Sequence, residues 1–132
     1  MSISRNYNRQ CVAFALQAIA LASFADGAVQ QAVQLPAGAI VTRAFIVVDE
    51  VFNAATTATL KVGDAADDDR YSATPVDLKT TGKKDLDVTG YELVAQGYLT
   101  VTYASTGAAA TTGKARLFVE YIDTGKAEWT QG

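Results

Sequence analysis

Histidine is absent from the 132 residues. Its absence removes imidazole general bases, His-containing triads and the usual His-bearing metal sites. The single cysteine, Cys11, closes no disulfide within the chain, so a stapled secreted module is excluded. Positive charge is scarce too: 11 Lys and Arg stand against 14 Asp and Glu, a net charge of −3. Nucleic-acid backbones and anionic membranes both select for clustered Lys and Arg, so neither is expected as a partner. Charged residues of either sign make up 19% of the chain, below the roughly 25% of ordinary soluble domains, and 49% are apolar. Much of that apolar share is Ala, yet the balance suits a chain that buries surface in an assembly. The length fits one domain and leaves no room for two.

The first part of the chain has some features of a targeting segment. Arg5 and Arg9 precede an apolar run over residues 11–22, and Ser23-Phe24-Ala25 sets small residues where a signal peptidase reads. Against this, Gln17 interrupts the run, and Asn8-Arg9-Gln10 is not the small apolar lead that a lipidated Cys11 needs. The run also falls short of the roughly 20 apolar residues of a membrane span. A buried structural segment is the expectation.

Period-two alternation dominates the rest of the chain. Val12, Leu16 and Ile19 have helical spacing, but Phe14, Leu16, Ala18 and Ala20 also alternate, and Asp26-Gly27 suits a tight turn. The expected unit is a hairpin with strands near 16–25 and 28–35, with a short helix before it left open. After Pro36 and Gly38, residues 39–48 are rich in β-branched side chains and apolar on both faces, as in a central strand. Residues 58–62 read as a short strand with Leu60 and Val62 inward. An acidic turn occupies 63–69, a strand piece is expected at 71–73, and 74–84 reads as a charged loop. One or two strand pieces are expected within 86–94, broken at Gly90. Leu99, Val101 and Tyr103 alternate with Tyr98, Thr100 and Thr102, the clearest strand signal in the chain. Residues 105–113 form a small-residue loop and 116–122 a last strand. About eight short antiparallel strands joined by turns predict an all-β sandwich of jelly-roll type. The domain is expected over 11–126, with a polar arm at 1–10 and a tail at 127–132.

No constellation for chemistry stands out, and no enzyme, cofactor or small-molecule ligand is expected. Asp64, Asp67, Asp68 and Asp69 offer oxygen ligands for a hard cation, but the spacing is not an EF-hand and no bidentate Glu follows. A solvated loop with Asp68 or Asp69 pairing Arg70 is expected instead, with no metal. Asp49 and Glu50 are neighbours on a strand and point to opposite faces, and Glu120 with Asp123 lacks any sign of a cleft. Tyr71, Tyr91, Tyr98, Tyr103 and Tyr121, with Trp129, could stack on a sugar, but core or interface positions are the simpler expectation. Cys11 is expected to pack as a small hydrophobe.

The stretch Leu35-Pro36-Ala37-Gly38-Ala39-Ile40-Val41, leading to Val48-Asp49-Glu50-Val51-Phe52, resembles a segment of small virion proteins of tailed bacteriophages. Leu60-Lys61-Val62-Gly63-Asp64 and Asp69-Arg70-Tyr71 continue the likeness, which covers about residues 16–73. The chain is similar there to head decoration, or cement, proteins. The resemblance implies a jelly-roll subunit on the outer surface of a phage capsid, clamping neighbouring major capsid proteins. A carbohydrate- or receptor-binding virion module is the alternative. The low charge fraction and the sheet edges add the expectation of a homotrimer. Neither terminal segment has a periodic apolar face, so neither folds by itself. Arg5, Tyr7, Arg9 and Trp129 are of the types enriched at interface hot spots, and are expected to contact a neighbouring subunit or the capsid.

Overall fold

Residues 12–24 and 26–124 are described by a computed structural model. They form eight strands: β1 (Val12–Ala20), β2 (Val29–Leu35), β3 (Ala39–Glu50), β4 (Thr57–Gly63), β5 (Val76–Asp77), β6 (Gly82–Asp85), β7 (Gly97–Thr106) and β8 (Lys114–Asp123). Two four-stranded antiparallel sheets stack face to face, in the orders β1-β8-β3-β6 and β2-β7-β4-β5. Strands β1 to β4 alternate between the sheets, and so do β5 to β8. The eight-strand sandwich so wound is a jelly roll, as the alternation and turn spacing predicted.

Alternation along each strand builds the core. From β3, Val41, Ala44, Ile46 and Val48 point inward; β8 adds Leu117 and Val119, β4 Leu60 and Val62, and β7 Leu99, Val101 and Tyr103. A bulge at Thr42 keeps this phase, because the pairing with β8 skips from Val41 to Arg43 and the inward set resumes at Ala44. Phe52 and Phe24 close one end of the core against Tyr103, with ring centroids 5.7 and 5.2 Å from it.

The local pairing differs from expectation at the start of the chain. Asp26-Gly27 is a turn, and Gly27 takes the positive φ of 80° that the dipeptide suits. It does not close a hairpin: β1 pairs β8, and β2 pairs β7 in the other sheet. A short 3₁₀ turn (Leu21–Ser23) and the Asp26-Gly27 turn carry the chain across the sandwich. The turn is tied to β7, where Gly27 N–H donates to the Tyr103 carbonyl at 2.7 Å and Ser105 N–H to Asp26 Oδ1 at 3.1 Å. Residues 71–73 are a turn rather than a strand. Residues 86–94 contribute only a bridge between Glu92 and Ile40, although Leu86 and Leu93 are buried. Conversely, the stretch expected as charged loop supplies β5 and most of β6, short edge strands held by backbone pairing to β4 and β3.

Candidate functional site

The two outer faces of the sandwich differ in chemistry. On the β1-β8-β3-β6 sheet the register sets outward residues in rows across the strands: Val12, Ile122 and Ile40; Phe14, Glu120 and Arg43; Leu16, Phe118 and Phe45; Ala18, Arg116 and Val47. Eight of the nine apolar members are Val, Ile, Leu or Phe on adjacent strands. Phe14 is 60% exposed, Leu16 58% and Val12 48%. Phe45 and Phe118 stack across β3 and β8, with centroids 4.8 Å apart and planes 15° from parallel. Such pairs contribute about 0.5–1.5 kcal/mol beyond their burial, and they present a flat apolar surface.

Cations border that surface. Arg43 Cζ and Lys83 Nζ lie 5.0 and 4.9 Å from the Phe45 centroid, and Arg116 Cζ lies 5.4 Å from that of Phe118. Arg116 is held in place by Asp49, its Nε and Nη2 donating to the two carboxylate oxygens at 2.9 Å each. This hydrogen-bonded pairing raises the guanidinium pKa above its ordinary value. Thr42, at the bulge, donates to Glu120 Oε1 at 3.0 Å. An apolar centre with fixed charges around it is the usual anatomy of a protein–protein contact.

The opposite outer face is polar. Thr57, Thr59 and Lys61 of β4 lie beside Thr106, Ala104 and Thr102 of β7, and the Thr57 and Thr106 hydroxyls are 2.6 Å apart. The Thr57 and Thr106 hydroxyls satisfy each other, whereas those of Thr100 and Thr102 on the same face have no hydrogen-bond partner among the described residues.

The acidic turn is built around Asp64, not around the aspartates that follow it. Asp64 Oδ1 accepts from the backbone N–H groups of Ala66 and Asp67 at 3.0 and 2.9 Å, and Arg70 Nε donates to Oδ2 at 2.5 Å. Arg70 therefore pairs with Asp64 rather than with Asp68 or Asp69, and its Cζ sits 3.7 Å from the Tyr91 centroid. Asp68 faces Lys61 at 3.5 Å. Carboxylate oxygens of Asp67, Asp68 and Asp69 lie within 4.8 Å of one another. A hydrogen bond with Asp67 and the surrounding negative charge raise the Asp69 pKa, and the same hydrogen bond lowers that of Asp67. Gly63 lets the turn fold back onto β4, since a Cβ there would stand 2.1 Å from the Asp67 carbonyl oxygen.

Tyr71 and Tyr103 belong to the core, so they cannot form a stacking platform. Tyr91 and Tyr98 line a shallow groove with Asp64 and Val94, and Tyr121 is half-buried. Arg5, Tyr7, Arg9, Cys11 and Trp129 lie outside the described residues. In sequence the residues of the apolar sheet face show only strand alternation; the pairing of β1, β8 and β3 is what makes their outward sets coincide.

No family model matches the chain, and no curated protein matches it. Two solved structures share its fold. A chain of the capsid asymmetric unit of cyanophage Pam1 is 24% identical, with a TM-score of 0.69 over 92% of this chain and 91% of that one. A chain of the acidic stable capsid of Helicobacter pylori bacteriophage KHP30 is 19% identical, with a TM-score of 0.63 over 92% and 94%.

Proposed function

We propose that this chain is a structural protein of a phage virion: a decoration, or cement, subunit on the outer surface of the head. In this reading it binds neighbouring major capsid proteins as a homotrimer and performs no catalysis. The observation that carries the reading is the apolar outer face of one sheet, with its Phe45–Phe118 stack and charged border, on a sandwich whose other face is polar. The two capsid structures that share the fold support the virion setting. The sequence likeness at residues 35–52 and 60–71 supports the decoration role.

The test is a particle-binding titration beside a thermal melt of the free protein. Phe45→Ala removes half of the aromatic stack. It should leave the sandwich folded and weaken attachment to heads lacking the protein by about 2 kcal/mol, as expected of a hot-spot residue. Attachment equal to wild type, in a variant that melts cooperatively, would remove the sheet face from the contact. The groove at Tyr91 and Tyr98 favours the glycan-binding alternative, and specific binding of the free protein on a glycan array would establish it.

A further inference from the structure

The sandwich has two side walls, and they are opposite in character. One is formed by β5 and β6, strands of two and four residues with the sequences VD and GKKD. Short, charged edges of this kind resist pairing with other chains. The other wall is formed by β1 and β2, which end their sheets on the same side and lie beside each other. These strands have nine and seven residues, VAFALQAIA and VQQAVQL, without one charged side chain or proline. Among the described strands, β1 is paired only with β8. The pairing of β2 shifts between Gln31 and Val33, but β1 keeps an unbroken register over its length, and a long, neutral and largely apolar edge is a template for another strand.

We infer that this wall joins two copies of the chain across a twofold axis, β1 pairing antiparallel with β1 of the second copy and centred on Leu16. The residue pattern favours a second copy over an unrelated strand. Pairing about this centre sets Phe14 opposite Ala18 and Leu16 opposite its own counterpart on the outer face. On the inner face Ala13 meets Ile19, and Ala15 meets Gln17. Except at the axis, each larger side chain meets a smaller one. Charge agrees as well. Each copy has a net charge of −3, so two copies repel, and the β1–β2 wall is where contact brings no like charges together. The area is sufficient. Nine residues span about 30 Å, and two sheets about 10 Å apart with their side chains make a wall about 20 Å deep. That buries roughly 1,200 Å² over both copies, the lower bound for a stable interface.

The contact is isologous and independent of a threefold, so it joins two trimers as readily as two single chains. It also runs the apolar stripe of Phe14, Leu16 and Phe118 without a break from one copy into the next.

The experiment uses the full chain, free of capsids, so its outcome does not depend on head attachment. In sedimentation at micromolar concentration, the wild type should have twice the mass of Leu16→Lys, which sets two ammonium groups face to face at the axis. The dissociation constant should rise by about tenfold or more from the lost apolar contact and the repulsion. Covalent trapping tests the register even if that variant folds poorly. In a Cys11→Ser background, Leu16→Cys should oxidise to a linked dimer, because directly paired strands place Cα atoms about 4.5–5.5 Å apart. Ala18→Cys should not, since its two copies would be roughly 14 Å apart. Equal masses for wild type and Leu16→Lys, or trapping no better at position 16 than at 18, would overturn the inference.

Discussion

Single residues carry costs that the chain could shed. The Tyr71 hydroxyl is buried with no hydrogen-bond partner among the described residues. Burial, aided by the nearby Asp64 charge, pushes its pKa up to about 12. Tyr71→Phe keeps the ring and removes the unpaired group. It is expected to stabilise the fold by about 1 kcal/mol, read from chemical denaturation. Asp69 is a second such residue. Its folded pKa is raised, so the folded state holds the extra proton between 3.8 and the higher value, and stability falls as pH rises through that window. Asp67 is lowered and acts in the opposite sense, its contribution present above 3.8 and lost as pH falls through its folded value. Asp69→Asn should therefore raise the melting temperature at pH 7 and leave it unchanged at pH 3. Chelator should shift neither protein, because Asp64 is already engaged by Arg70 and two backbone amides. A calcium-dependent rise that Asp69→Asn abolishes would mark the turn as a cation site. The acid–base pairing itself was only half legible: the charge run was plain in sequence, but Arg70 reaches back six residues to Asp64, whose position depends on the fold of the turn.

At the scale of elements, legibility followed the strength of alternation. Strands β3, β4, β7 and β8 were readable because one face of each is filled by Val, Leu, Ile or Tyr. The β5 and β6 edges were not, since VD is too short to show alternation, GKKD is made of residues depleted in strands, and both exist by pairing to established neighbours. The false hairpin shows a different limit. A turn dipeptide reports where the chain bends, whereas the sheet each flanking strand joins is decided by partners about 70 to 100 residues away. Central strands should be the sensitive ones. Ile46→Ala, at a fully buried site on β3, is expected to cost about 2–5 kcal/mol by denaturant titration. Loss below 1 kcal/mol would mean that the two sheets collapse onto the cavity.

For the whole molecule, the proposed trimer and the terminal contacts make the remaining prediction. Deleting residues 1–10 or changing Trp129→Ala should leave the melt of the sandwich intact and weaken capsid attachment by about 2 kcal/mol. If both variants bind as the full chain does, attachment falls to the sheet face and the loops alone. A trimer should appear as the smallest species when Leu16→Lys is sedimented.

Strand β8, the last of the described elements, lies between β1 and β3, and so it completes its sheet from the middle. β1 therefore has no neighbour in its own sheet until residues about 100 positions later have been made, and Phe45 waits about 70 positions for its stacking partner. Chain-end pairings of this kind close large loops and slow folding toward the millisecond-to-second range of all-β domains. In the proposed role they also act as a proofreading step. A chain that stops before Lys114 has neither a finished sheet nor the Phe118 half of the aromatic pair, so an incomplete subunit cannot present the surface by which a complete one would be recognised.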